Sequence, residues 1–202
     1  MTTERRPLVR EDLERMALPV DYWRARLAQA PRDAAALVAN YLGRYDELAA
    51  RGCGLLFLGS PGTGKTALAA VAAKDVRARY RSVFFTSLWD LKEAVRSRAA
   101  FDADQSVIER ARGVDLLVLD NLRVEDAADM VFGARATVEL LAFRAQRARP
   151  TLVTTRLSFR ELDDPKSWKG LLQAGKLVEV PVTGPDLRES QAAHLRQIVS
   201  GR

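Results

Sequence analysis

Leu55-Leu56-Phe57-Leu58-Gly59-Ser60-Pro61-Gly62-Thr63-Gly64-Lys65-Thr66 is the stretch on which the reading of this chain turns. Its first four residues form a short continuous apolar run, the pattern of a strand buried on both faces. Its last eight match G-x-x-x-x-G-K-[ST], and a helical pattern opens at Lys65. Strand, glycine-rich loop and helix mouth in that order carry a chemical meaning. Glycines let the backbone turn tightly, so that successive N–H groups point inward around phosphate oxygens while the helix N-terminus adds partial positive charge. Gly59, Ser60, Pro61, Gly62, Thr63 and Gly64 are therefore expected to cradle phosphates. Lys65 is expected to reach the β- and γ-phosphates, and Thr66 to hold Mg²⁺ through its hydroxyl. The ligand expected is ATP with Mg²⁺. An ordinary glycine-rich turn is the bland alternative, and the strand-loop-helix context speaks against it.

Around this stretch, apolar runs and helical patterns alternate. Upstream, Leu37, Tyr41, Leu42, Tyr45 and Leu48 recur at helical spacing, which predicts a helix over 33–50 with Asp33 as its N-cap. Downstream, strands are expected at 83–86, 116–119, 152–155 and 177–180, and helices over 65–79, 87–98, 104–112, 126–148 and 186–199. Five buried-type strands separated by helices argue for a parallel sheet covered on both sides, a fold that places ligands at the carboxyl ends of its strands. Asp115-Leu116-Leu117-Val118-Leu119-Asp120 puts Asp120 at such an end, beside the loop. A carboxylate there can bind Mg²⁺ through its water shell. The alternative is that it caps a turn.

Composition bounds the rest. With 202 residues, 48% of them hydrophobic, the chain can bury one sizeable core and reads as one globular domain. No run approaches the roughly 20 apolar residues of a membrane span, and residues 1–7 lack the apolar stretch of a secretory signal, so a cytoplasmic location without membrane contact is expected. The single Cys53 excludes an internal disulfide, and with the single His194 it excludes a Cys/His zinc site. Cys53 reads as a small spacer between two glycines, and no Ser/His/Asp set assembles around one histidine. Residues 1–32, with Pro7, Pro19 and Pro31, read as an N-terminal arm, and 33–202 as the ATP-binding domain. The net charge is +6, and 26 of the 32 bases are arginine. Arg135, Arg144, Arg147, Arg149, Arg156 and Arg160 face the single acid Glu139 in their stretch. They could meet nucleic-acid or nucleotide phosphates, or form a solvated helix face. Trp23, Trp89 and Trp168 are scattered and read as packing residues.

Four stretches together resemble a known family: Arg51-Gly52-Cys53-Gly54-Leu55-Leu56-Phe57-Leu58-Gly59 entering the loop, Leu116-Leu117-Val118-Leu119-Asp120-Asn121-Leu122, Arg149-Pro150-Thr151-Leu152-Val153-Thr154-Thr155-Arg156-Leu157-Ser158, and Val182-Thr183-Gly184-Pro185-Asp186-Leu187-Arg188. Over about residues 18–190 the chain is similar to the AAA+ ATPases, specifically the DnaC-type helicase loaders and the IstB-type transposition helper ATPases. The resemblance implies an α/β P-loop NTPase fold in three layers, with a five-stranded parallel sheet of order 5-1-4-3-2. It implies ATP as ligand, homo-oligomers, single-stranded or duplex DNA, and a replicative helicase or transposase as protein partner. Asp120 takes the Walker B position, so that Lys65, Asp120 and Asn121 form the implied catalytic set.

Departures from the family pattern shape the expected activity. Asn121 stands where the family usually has the Glu or Asp that activates the attacking water, and an amide cannot accept a proton as a carboxylate does. Asn121 could still position a water, and Glu125 or Asp126 could reach in from the next turn. Slow hydrolysis in replication or transposition, with ATP used chiefly as a conformational switch, is the expectation. Arg156 aligns with the family's polar sensor residue, commonly Asn, and Arg188 is placed to approach ATP. Near Ser167-Trp168-Lys169-Gly170 the family usually supplies an arginine to a neighbour's site, whereas here Lys166 and Lys169 lack the bidentate fork. The arm is short beside the N-terminal region with which helicase loaders grip the helicase. Two alternatives stay open: a non-hydrolysing ATP-binding adaptor, and a P-loop small-molecule kinase, for which no clear lid lies between Asp120 and Leu152.

Overall fold

The computed structural model describes residues 4–97, 105–122, 134–156 and 173–188, together with 193, 196, 197, 199 and 200. The apolar runs form strands β1 (Gly54–Leu58), β2 (Val83–Ser87), β3 (Leu116–Leu122), β4 (Thr151–Thr155) and β5 (Leu177–Pro181). They pair in parallel in the order β2-β3-β4-β1-β5, the order the resemblance implied read from the other edge.

Continuous apolar strands are required because successive side chains leave a sheet on opposite faces and both faces are covered. Leu55, Phe57, Val83, Phe85, Leu116 and Val118 share one core with α2 (Arg32–Gly43) and α4 (Lys65–Ala78). Leu56, Leu58, Phe84, Leu117 and Leu119 share the other with α5 (Leu88–Ser97), α6 (Gln105–Gly113) and α7 (Ala134–Gln146). Strand β5 departs from the buried type: Val178 and Glu179 are exposed, and Pro181 ends a strand at the sheet edge, where a missing N–H leaves no ladder bond unmade.

The helix expected over 33–50 is two helices, α2 and α3 (Tyr45–Ala50), separated at Arg44. The weak helix former Gly43 precedes the break, and the Arg79 guanidinium donates at 2.6 Å to the Leu42 carbonyl, an acceptor that a continuous helix would use internally. Pro31, not Asp33, is the N-cap; Asp33 lies in the first turn, where its charge complements the helix dipole. Residues 126–133 of the long helix expected over 126–148 lie outside the described residues, as do Glu125, Lys166, Ser167, Lys169 and half of the last expected helix. Among the described residues no helix is long and apolar enough to cross a membrane.

Residues 4–31 pack onto α4. They contain α1 (Arg10–Arg15) and two short 3-10 turns, Val20–Tyr22 and Leu27–Gln29. Met16 and Leu18 are buried in the same core as Val38 and Leu68, and the Phe85 N–H donates to the Met16 carbonyl at 2.7 Å. Asp12 on α1 is buried and accepts from Arg6 at 2.6 Å and Arg77 of α4 at 2.8 Å. These guanidiniums, Arg6 first, hold its carboxyl well below the usual carboxylate range.

Arg144, at the end of α7, departs from both readings of the arginine-rich stretch, phosphate contact and solvated helix face. Its side chain is fully buried. It donates to the carbonyls of Ala111 (2.6 Å), Val114 (3.1 Å) and Pro150 (2.9 Å) and to the Thr151 hydroxyl (3.0 Å), tying the end of α6 to the starts of β3 and β4. Arg147 remains on the surface, stacked on the Phe143 ring at 3.7 Å.

Candidate functional site

The carboxyl ends of β1, β3 and β4 and the mouth of α4 enclose a cavity of about 360 Å³. Pro61, Gly62, Gly64, Lys65, Thr66, Asp120, Asn121, Arg156 and Arg188 all line it. Sequence elements more than a hundred residues apart thus meet at one place because the parallel sheet delivers every strand end to the same side.

The loop's shape depends on three glycines, Gly59, Gly62 and Gly64, in backbone regions that other residues avoid, and at the first two a side chain would also clash. Gly59 has φ +145, and a Cβ there would lie 2.2 Å from the Val182 carbonyl oxygen. Gly62 has φ +77, and a Cβ there would lie 1.7 Å from an oxygen of Asp186. The second contact reflects how the 186–188 segment seats on the loop, with the Leu187 N–H donating to the Gly62 carbonyl at 3.0 Å. Arg188 reaches the cavity but is paired with Asp186, to which its Nε donates at 2.9 Å. That pairing lowers the Asp186 carboxyl to about 2.

Lys65 is only 7% exposed, and its ammonium donates to the carbonyls of Gly59 (2.7 Å) and Ser60 (2.6 Å) within its own loop. Burial lowers its pKa to about 8, with Arg156 adding to the shift and Asp120 opposing it. The lysine is therefore an underpartnered cation beside a cavity.

Asp120 accepts at one oxygen, Oδ1, from the hydroxyls of Thr66 (3.0 Å) and Thr154 (2.6 Å). Burial raises its pKa, and the two hydroxyls, Lys65 and the Asn121 main-chain N–H oppose that rise. A carboxylate and a hydroxyl in hydrogen-bond contact are a hard-oxygen donor set of the kind a small divalent cation takes while retaining most of its waters.

Strand β3 does not stop at Asp120. Its register with β4 shifts between Leu119 and Leu122, and Asn121 there adopts φ +60. The Asn121 N–H donates to the Thr154 hydroxyl at 2.8 Å, and Thr155 donates to the Leu122 carbonyl at 2.9 Å. Asparagine tolerates the left-handed region better than other non-glycine residues, which gives a backbone reason for the amide after the acid. Thr154 is thus the hub of this end of the site. Polar residues closing an apolar strand were its only sequence signal.

Sequence reasoning missed Tyr22 altogether. It lines the same cavity from the N-terminal segment. Burial and the Asp120 charge raise its phenol pKa, and hydrogen bonding with Thr66 opposes the rise.

A family model described as IstB-like ATP binding protein matches residues 48–178. The replicative helicase loader DnaC of Escherichia coli (strain K12) is 27% identical over 109 residues, covering 53% of this chain and 44% of that protein. The chain thus spans less than half the length of that relative. A crystal structure of the DnaC helicase loader superposes with a TM-score of 0.64 at 19% identity, covering 82% of this chain and 100% of the other. A crystal structure of DnaI gives 0.64 at 23% identity, covering 84% and 93%. Both structural likenesses concern the fold. Because the family match takes in most of the chain and contains the loop, Asp120 and Thr154, this protein belongs to the IstB-like ATP-binding family, as an AAA+ protein of the DnaC/IstB type.

Proposed function

We propose that the cavity binds ATP with Mg²⁺ and that the chain acts as a slow, switch-like ATPase serving a replicative helicase. One observation carries this reading: Lys65, Thr66 and Asp120, from two distant sequence elements, converge on one cavity beside a glycine loop of the required shape. In this reading the loop amides and Lys65 hold the phosphates, and Lys65 exchanges the Gly59 and Ser60 carbonyls for phosphate oxygens. Thr66 and Asp120 hold the cation, which neutralises developing charge on the phosphates when bound. Thr154 fixes the rotamer of Asp120, and Arg156 and Arg188 meet the outer phosphate. A second cavity of about 690 Å³ continues from Gly64 along Ala67 and Val71 of α4 to Ala25 and Pro31, and is roomy enough for a nucleoside.

Calorimetric titration of wild type and Lys65→Ala with ATP and Mg²⁺ tests the assignment. A loss of about a hundredfold or more in affinity is expected, of the size seen when a buried charged hydrogen bond to a ligand is removed. Equal affinities remove the assignment.

Asn121 supports slow turnover, and it also favours a second reading, the non-hydrolysing adaptor. Asn121→Asp restores a carboxylate in a residue that still tolerates the left-handed backbone. A rise in ATP turnover of about tenfold or more supports the slow-enzyme reading; no turnover in either protein, with DNA present, supports the adaptor.

The helicase partner rests on similarity to the replicative helicase loader DnaC, and DNA contacts and self-assembly rest on the family resemblance of the sequence. Pull-down with a replicative helicase, against a transposase as the other candidate, tests the partner. Arg147 and Arg149 stay surface candidates for DNA phosphates among the described residues of the stretch that contains Arg144.

A further inference from the structure

Helix α4 holds two things at once. Its first turn carries Thr66 against Asp120, and two turns further on it carries Lys74. The half-buried Lys74 ammonium donates to the carbonyls of Tyr22 (3.3 Å), Trp23 (2.9 Å) and Ala25 (2.6 Å). It pairs with no carboxylate among the described residues, and burial lowers its pKa. A desolvated cation satisfied only by main-chain oxygens fixes the path of the segment supplying them. The Trp23 indole N–H, donating to the Leu18 carbonyl at 2.8 Å, closes that segment on itself. The outcome is that the Tyr22 side chain lines the cavity with Lys65, Thr66, Asp120 and Arg156 while its carbonyl stays in the Lys74 clamp, so that one residue joins two points of α4, Thr66 and Lys74, about 12 Å apart at 1.5 Å per residue.

We propose that Tyr22 is a nucleotide-site residue that couples occupancy of the phosphate and cation position to docking of the segment 18–31, with Lys74 as its positioning residue. The proposal rests on the ATP–Mg²⁺ reading of the cavity. Its physics is linkage. A ligand that touches both Thr66 and Tyr22 in the cavity they line binds the docked segment better than the open one, so filling the site suppresses opening. The suppression equals one plus the ratio of ligand concentration to Kd if the open form does not bind, and is one if both forms bind equally. Occupancy of an inner cavity is thereby read on the outer face of the segment, where Val20 is 70% exposed.

Hydrogen exchange of the full chain, followed at peptides covering residues 18–31, tests the coupling with ATP at about a hundred times its Kd. With Mg²⁺, exchange in wild type is expected to slow by about tenfold or more, below the roughly hundredfold ceiling that linkage sets. Removing Mg²⁺ with a chelator lessens the effect, because Tyr22 faces the Thr66–Asp120 side. Tyr22→Ala loses most of the protection, and by reciprocity its affinity for Mg²⁺–ATP falls by a comparable factor. Tyr22→Phe keeps the ring and its packing, separates the hydroxyl from the ring as the carrier, and serves if the alanine variant fails to fold. Lys74→Met speeds exchange of the segment with and without nucleotide.

Wild type that binds ATP with no change in exchange at 18–31 overturns the coupling and leaves the ATP site standing. Full protection retained in both Tyr22 variants also overturns it. Wild type that binds no nucleotide overturns the reading of the cavity itself.

Discussion

Two buried cations sit at opposite ends of the sheet, and both are satisfied by main-chain carbonyls. Arg144, where β3 and β4 begin, spends its guanidinium on four carbonyls and a hydroxyl, and its side chain is closed off from solvent. Lys65, where β1 ends, has two carbonyls of its own loop and a cavity in front of it. Burial opposes the charge of each. The difference lies in what remains unsatisfied. A saturated cation fastens elements together, whereas an unsaturated one facing a cavity is poised to accept an anion.

The strongest break in that comparison would come from the closed end. Arg144→Ala strands several buried acceptors and leaves a void, and it is expected to cost about 4 kcal/mol of folding stability by denaturant unfolding. Wild-type stability would mean that Arg144 is no fastener.

The open end should instead respond to pH. Lys65 has a folded pKa of about 8, below its unfolded value, so the native chain carries fewer protons than the unfolded one between about 8 and the unfolded value. The penalty of its buried charge is present in full below that window and is relieved as pH rises through it. An anion reverses the preference by favouring the protonated lysine. ATP affinity should therefore fall with rising pH above about 8, by up to about tenfold per unit, with proton uptake on binding. Calorimetry in two buffers of different ionisation enthalpy reads that uptake, and affinity constant from pH 7 to 9 refutes it.

The smallest effect belongs to Arg188, whose partner Asp186 is partly exposed. Asp186→Asn removes this ion pair and a negative charge beside the loop. A gain in ATP affinity of about threefold is expected, within the range of exposed ion pairs. Weaker binding would show that Asp186 supports the loop more than it restrains Arg188.

The same contrast explains what was legible in the chain. Strands β1 to β4 announce themselves because a sheet covered on both faces needs unbroken apolar runs, and the phosphate loop because its glycines are demanded by backbone geometry. Gly59 through Thr66 and Asp120 were singled out from such local signals, Asn121, Arg156 and Arg188 only from the family resemblance, and the cavity brings these last three and Asp120 to the loop. Arg144 was misread because a charge count carries no information about burial, which is decided by the packing of α6 against α7. The break at Arg44 depends on Arg79, far along the chain. Tyr22 and Lys74 escaped because their meaning exists only in contact: each is an ordinary residue until the N-terminal segment lies down on α4.

That segment also changes what shortening the chain would do. Composition draws a boundary near residue 32, but Met16 and Leu18 are plugs in the wall that α4 shares with the sheet. Burying each contributes on the order of 2 kcal/mol, so together they represent a sizeable part of the 5–15 kcal/mol that holds a typical domain folded. A version begun at residue 33 would be a damaged molecule rather than a minimal one.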